Sequence, residues 1–263
     1  MLTDPNAIRR VIAEYLTDPA QVEQAVTALT RGTATGSVNG ALVDLGRSAR
    51  CGFPEVIFGE GKPAELIVDI FRRQQAAGQP GFATRISPEQ ATAVAAALPE
   101  AVYHPLARTL TLQTPASDRS DAAEIATQVA VVSAGSCDAS VAHEAFETLR
   151  WMQVPVTLID DVGVAGPQRL LQHVSILQQM KAIVCVAGME AALPSVVGGH
   201  VSCPVIGVPT SVGYGASFGG IAALLSMLNC CASNVVTVNI DAGFRGGYVA
   251  GVIARGCEQP AVA

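Results

Sequence analysis

Residues 182–220 read AIVCVAGMEAALPSVVGGHVSCPVIGVPTSVGYGASFGG, and the fold class is decided within them. Two short apolar runs, Ala182–Ala187 and Pro204–Val208, are rich in β-branched residues and carry little polar alternation. Each is followed by glycines and then by a helix-like stretch, Glu190–Val197 and Ser217–Cys230. Strands without alternation are buried on both faces, the condition of a parallel sheet covered by helices. The same unit repeats outward. Val129–Ser133 precedes helix-like Val141–Trp151, Val154–Ile159 precedes Gln168–Met180, and Val235–Ile240 closes the series. The reading is an α/β fold, a doubly wound parallel sheet of about five strands.

Ligands of such sheets bind beyond the carboxyl ends of the strands. Here those ends carry Ser133–Asp138 (SAGSCD), Asp160–Gly166 (DDVGVAG), Ala187–Glu190 (AGME), Pro209–Gly215 (PTSVGYG) and Asn239–Gly243 (NIDAG). Glycines and scarce carboxylates therefore gather at one edge. Ahead of this region the pattern is α+β. Helices are expected at Ala7–Tyr15, Pro19–Thr30, Pro63–Ala77 and Pro88–Leu98, with strands at Gly81–Ile86 and near Thr109–Leu112. Charge divides the chain too: residues 1–125 hold 14 acidic and 11 basic residues, residues 126–263 only 8 and 5. The polar stretch Thr114–Asp121 marks the expected boundary between a smaller domain, 1–125, and a catalytic domain, 126–263.

Of 263 residues, 50% are hydrophobic and 14% charged, with a net charge of −6. An acidic chain with few aromatic residues and no basic stripe is not a nucleic-acid binder. Ala191–Ile240 holds no Asp, Glu, Lys or Arg, yet Pro194, Pro204 and Pro209 interrupt it. No run reaches the roughly 18–20 apolar residues that cross a bilayer. The N-terminal residues lack the apolar core of a signal peptide. Seven cysteines without a CxxC pair point to a reduced, cytoplasmic setting. So apolar a second domain calls for cover by a partner subunit, and a homo-oligomer is expected.

Glu190 is the one acidic residue between Asp161 and Asp241. A buried carboxylate among apolar neighbours is suited to general-base work; the alternative is a residue favoured in a first helical turn. Gly213–Gly220 (GYGASFGG) offers backbone N–H groups to an anion at a helix start, or simply tight packing. It is neither a dinucleotide fingerprint nor a P-loop. Gly215–Gly219 matches a nucleophile elbow, but no histidine follows His200 to complete a triad. Among the thiols, Cys137 beside a helix start is electrostatically better placed than Cys230–Cys231 at a helix end. Cys51, Cys185, Cys203 and Cys257 read as structural. The four histidines lack zinc spacing. Asp160, Asp161 and Asp138 are weak candidates for Mg2+, with helix capping an equal account of Asp138; no tightly bound cofactor is expected.

Several strings carry a family resemblance. They are Val162–Gly166, Arg169–Leu171, Ala187–Val197, Pro209–Gly220 and Met227–Asn229, with the N-terminal pattern Arg47-x-x-Arg50-x-Gly52-x-x-Glu55-Val-Ile-x-Gly59-x-Gly61-Lys62. Over about residues 40–250 the chain resembles the LarB family, pyridinium-3,5-biscarboxylic acid mononucleotide synthases of nickel-pincer cofactor biosynthesis. The C-terminal domain of that family is similar to octameric aminoimidazole-ribonucleotide carboxylase. The resemblance implies carboxylation of nicotinic acid adenine dinucleotide by CO2 or bicarbonate, cleavage of its phosphoanhydride, and an octameric assembly.

By the same resemblance Cys231 is the nucleophile and Glu190 the base, so the preference for Cys137 yields. Ser133, Asp138, Arg169, Ser211, Gly213, Tyr214, Gly215 and Ser217 become substrate-binding candidates, with Arg47, Arg50 and Lys62 as phosphate or carboxylate partners. The chain departs from the family at Gln168, where histidine is usual, at Cys137 for serine, at Ala242 for asparagine and at Cys230 for a small polar residue. Two other readings stay open: a carboxylase or mutase of aminoimidazole ribonucleotide, which needs no thiol, and a non-catalytic nucleotide-binding subunit.

Overall fold

The computed structural model describes residues 4–31, 33–113 and 127–256. They divide into two compact units, one holding residues 4–103 and 110–113, the other 104–109 and 127–256. The stretch Thr114–Asp121 and Cys257 lie outside the described residues.

The first unit opens with a helical hairpin, α1 (Pro5–Ile12) and α2 (Pro19–Arg31), closed on Ile8, Val22 and Val26. An antiparallel pair follows, β1 (Gly36–Val38) and β2 (Ala41–Val43), then α3 (Arg47–Cys51). The remaining elements are β3 (Ile57–Phe58), α4 (Ala64–Ala76), β4 (Gly81–Thr84), α5 (Pro88–Ala97), β5 (Val102–His104) and β6 (Thr109–Leu112). The strands form a mixed sheet in the order β3-β4-β6-β5, with α4 burying Ile67 and Phe71 in its core. Ser87 and Gln90 cap α5 reciprocally, a capping box that sets its start.

The second unit runs β7 (Val129–Ser133), α6 (Ala139–Trp151), β8 (Val156–Ile159), α7 (Pro167–Leu171), α8 (Val174–Leu177), β9 (Ala182–Ala187), α9 (Leu193–Gly198), β10 (Val205–Pro209), α10 (Ile221–Leu228), β11 (Val235–Thr237) and α11 (Gly243–Gly256). All its strand pairs are parallel, in the order β11-β10-β9-β7-β8. Every residue of β7, β9 and β10 is buried, which is why their sequences show no alternation. Alternate residues serve opposite faces. Ile183 and Cys185 pack with Leu170, Leu177, Leu193 and Met227 of α7–α10, whereas Val184 and Ile206 face α11.

Helix α11 lies close on α6 because its glycines permit it. A Cβ on Gly247 would stand 2.5 Å from the carbonyl oxygen of Ala145. The expected helix Gln168–Met180 is instead two short ones, because the chain tightens to three-residue hydrogen bonds between them: His173 N–H to Leu170 O (2.9 Å) and Ile176 N–H to His173 O (3.0 Å).

The Gly247 approach yields a test. Gly247→Ala forces backbone apart and is expected to lower stability by about 1–3 kcal/mol. Gly256→Ala, at the open end of the same helix with nothing within 4 Å, is expected to be neutral or slightly stabilising. Equal urea midpoints for the two variants would contradict this packing.

Candidate active site

The sheet order places β7 between β8 and β9, so the chain leaves β7 and β9 in opposite directions. Such a switch point opens a crevice at the carboxyl edge. A cavity of about 670 Å³ occupies it, walled by Ala134–Asp138, Asp161 with Val164 and Ala165, Ala187–Leu193 and Val212–Tyr214.

Asp138 ties these walls together. It is buried, its Oδ2 accepts from Gly135 N–H at 3.1 Å and its Oδ1 from the Thr210 hydroxyl at 2.7 Å. Burial pushes its carboxyl above the usual aspartate range, while the hydrogen bonds from Thr210, Gly135 and the Gly188 backbone pull the other way. Thr210 was not legible as a site residue, since one hydroxyl after an apolar strand carries no sequence signal.

Glu190 does not sit in the first turn of a helix, nor is it buried. It stands exposed at the tip of a turn between β9 and α9, lining the cavity. Its neighbours Met189 and Ala191 both have left-handed backbones, φ 54° and 51°. Each such residue costs on the order of 1–3 kcal/mol and persists only where surrounding structure imposes it. What imposes it is close passage of the next loop. A Cβ on Gly188 would lie 2.5 Å from both Thr210 Oγ1 and Val212 O, and Met189 N–H donates to Val212 O at 2.9 Å. Five of the eight non-glycine residues with positive φ among those described, Asp161, Met189, Ala191, Phe218 and Asp241, belong to this edge.

Ser133 ends β7 fully buried, its hydroxyl donating to Asp160 Oδ1 at 2.9 Å and accepting from Asp161 N–H at 3.3 Å. It lies behind the cavity wall. Asp160 also faces His143 Nε2 at 3.7 Å, whereas Asp161 pairs with Arg169 at 2.9 Å. The adjacent carboxylates are thus drawn to different partners. No group of three or more His, Cys, Asp or Glu side chains among the described residues could hold a metal ion.

The loop Gly213–Gly220 departs from the helix start expected at Ser217. A 3₁₀ turn spans Gly215–Gly220, and Phe218, Gly219 and Gly220 have φ of 46°, 61° and 97°. Gly220 has no space for a side chain, since a Cβ would meet Thr210 O at 2.7 Å. The helix proper starts only at Ile221. Gly213 and Tyr214 line the cavity. Ser211 N–H donates to Asp241 Oδ1 at 2.8 Å, and Ser217 packs against Gly213.

Of the thiols, Cys137 is exposed and lines the cavity, Cys185 is buried in β9 with its thiol pushed far up by burial, and Cys231 is exposed but lines no part of the cavity. Cys51 is exposed at the end of α3 rather than buried in a core. In the first unit, Arg50 pairs with Asp44 at 2.6 Å, while Arg47 is exposed and Lys62 half-buried. The Glu55 carboxylate accepts from Asp44 N–H, and Gln90 Nε2 donates to the carbonyls of Gly59 (2.8 Å) and Lys62 (2.7 Å), clamping their loop.

Asp138 makes a prediction about pH. A carboxyl whose folded pKa is raised contributes stability that is fully present below the unfolded value, ~3.9, and is lost as pH rises through the folded one. Wild type is therefore expected to gain on Asp138→Asn as pH falls from neutrality towards about 4. A gap in urea midpoint that stays constant with pH would contradict the burial argument.

Comparison with known proteins accords with this architecture. Residues 36–114 match the LarB/PurE-like N-terminal domain, and residues 128–261 match AIR carboxylase. An uncharacterized protein of Methanocaldococcus jannaschii is 34% identical over 220 residues, covering 81% of this chain and 83% of that one. The crystal structure of a point variant of Treponema denticola PurE2 aligns over 49% of this chain and 78% of that one, with 18% identity and a TM-score of 0.39. The chain belongs to the LarB family, with a LarB/PurE-like N-terminal domain followed by an AIR carboxylase domain.

Proposed function

We propose that this protein carboxylates the pyridinium ring of nicotinic acid adenine dinucleotide and cleaves its phosphoanhydride, giving pyridinium-3,5-biscarboxylate mononucleotide and AMP. The AIR carboxylase domain supports a carboxylase-type activity. The observation that carries the site assignment is Glu190, held by two strained neighbours over the cavity at the switch point.

The chemistry accounts for a thiol and a carboxylate together. A pyridinium ring is electron-poor and does not attack CO2. Addition of the Cys231 thiolate at ring carbon four places an electron pair on the ring nitrogen, and carbon five becomes the nucleophilic end of an enamine. Carbon five bonds to CO2, Glu190 takes the proton from carbon five, and loss of the thiolate restores the aromatic ring. Water then divides the anhydride between the two phosphates. Tyr214, Gly213 and Arg169 are the proposed contacts to substrate in this unit; Ser211, Gly215 and Ser217 shape the loop that carries them. Ser133 and Asp138 hold the wall. Arg47, Arg50 and Lys62 are proposed phosphate or carboxylate partners in the other unit. The assembly is proposed to be an octamer in the cytoplasm. No helix among the described residues is long and apolar enough to cross a membrane.

A second reading has one observation in its favour. Cys231 does not line the cavity of its own chain, and carboxylation of aminoimidazole ribonucleotide needs no thiol because that ring is already a carbon nucleophile.

Mass spectrometry after incubation with the dinucleotide and labelled bicarbonate decides between them. Label is expected in the biscarboxylated mononucleotide, with AMP alongside. Glu190→Gln is expected to lower turnover about 10²–10⁴-fold, and Cys231→Ala to abolish it. Label only in a carboxylated aminoimidazole ribonucleotide, or full activity of Cys231→Ala, would overturn the proposal.

A further inference from the structure

Of the seven cysteines, only Cys230 and Cys231 are adjacent in the chain. Adjacent side chains diverge where the backbone is regular, because a helix turns them apart around its axis and a strand sends them to opposite faces. Here the backbone is not regular. Helix α10 ends at Leu228 and β11 starts at Val235, so both thiols stand in the irregular segment between them. Cys230 N–H still donates to Met227 O at 3.3 Å, and beyond that bond the chain leaves the helical path.

The Cys230 side chain is turned forward. Its Sγ accepts from Ala232 N–H at 3.4 Å, which brings the sulfur across Cys231. Side chains within a helix point the other way, towards the preceding turn. Cys231 is exposed and Cys230 half-buried, so a small solute reaches the pair. The nearby thiols are turned away from it: Cys185 is buried in β9, and Cys203 packs against the same core.

We propose that Cys230 and Cys231 form a redox modification site, in which a peroxide converts the pair to a disulfide and a dithiol restores it. In the first step the Cys231 thiolate attacks the peroxide. An S–O bond forms, the O–O bond breaks and hydroxide leaves, so the sulfur is oxidised by two electrons and the peroxide is reduced. In the second step the Cys230 thiolate attacks the sulfenic sulfur. The S–S bond forms, the S–O bond breaks and a second hydroxide leaves. The protons released by the two thiols convert both hydroxides to water. Adjacent Cα atoms are ~3.8 Å apart, closer than the roughly 4.4–6.8 Å that disulfides favour. Such a bridge is strained and readily reduced, as a reversible switch requires and a structural crosslink does not. Without a partner, the Cys231 sulfenic acid goes on to sulfinic acid, which thiols do not reverse. Cys230 thereby protects the thiol beside it. That the disulfide stops turnover rests on the proposed thiol-adduct carboxylation; the oxidation itself does not.

Peptide mass spectrometry of the full chain, treated with hydrogen peroxide and then alkylated, tests the site without turnover. The peptide carrying both cysteines is expected to escape alkylation and to weigh two hydrogens less than its reduced form. After dithiothreitol both cysteines are expected to alkylate. In Cys230→Ser, Cys231 is expected to accumulate sulfinic acid that dithiothreitol does not remove. Alkylation of both cysteines straight after peroxide, a bridge from either one to another cysteine, or equal sulfinic acid in wild type and variant would overturn the proposal. Carboxylation is the second readout. Oxidised wild type is expected to lose activity and to regain it in dithiothreitol, whereas peroxide-treated Cys230→Ser is expected to stay inactive. Full activity of a protein that holds the disulfide would overturn Cys231 as the nucleophile, and with it the regulatory part of the proposal.

Discussion

The buried hydrogen bond from the Thr210 hydroxyl to Asp138, 2.7 Å long, joins residues 72 positions apart and sets the carboxyl edge of the sheet. Asp138 belongs to the loop after β7, Thr210 to the end of β10, and Gly188, whose backbone also reaches Asp138, to the loop after β9. Three strand ends are thereby held to one carboxyl. With that distance fixed, the loop after β10 passes so close to Gly188 that no side chain fits there, and the turn carrying Glu190 takes up the left-handed conformations that result. The exposure and direction of the proposed base are consequences of a buried interaction that does not itself perform the chemistry.

Much of this was legible in the sequence. The strands were readable because burial on both faces leaves uninterrupted runs such as Ala182–Ala187, and because glycines follow each run. The gathering of carboxylates at one edge followed from strand direction alone. For Glu190 the sequence indicates the loop but not its exposure. Its isolation suggested a buried residue, whereas the turn presents it to the cavity. The kink at Phe218–Gly220 was equally hidden, since it comes from contact with Thr210 and Ile240, residues distant in sequence. Local pattern reports periodicity. It does not report where two loops must pass within van der Waals reach.

The same separation governs the N-terminal signature. In sequence, Arg47, Arg50 and Lys62 of that signature read as phosphate or carboxylate partners, and the structure gives its residues different surroundings. Glu55 holds the Asp44 backbone, Arg50 is committed to the Asp44 carboxylate, and the Gly59–Lys62 loop is clamped by Gln90. Arg47 and Lys62 keep more freedom to meet an anion. In the second unit, Gln168 lies in the first turn of α7, and Cys137 lines the cavity together with Glu190. The two exposed thiols of this unit thus differ in place: Cys137 lines the cavity of its own chain, and Cys231 stands outside it.

The most direct measurement is peptide mass spectrometry of protein quenched rapidly after mixing with the dinucleotide in the absence of CO2. A thiolate adduct at ring carbon four, the step on which the proposed carboxylation depends, would appear as the mass of the dinucleotide on the peptide that carries Cys231. That adduct is expected in the wild-type protein and is expected to be lost in Cys231→Ala. An adduct on the Cys137 peptide, or none while carboxylation proceeds, would contradict it.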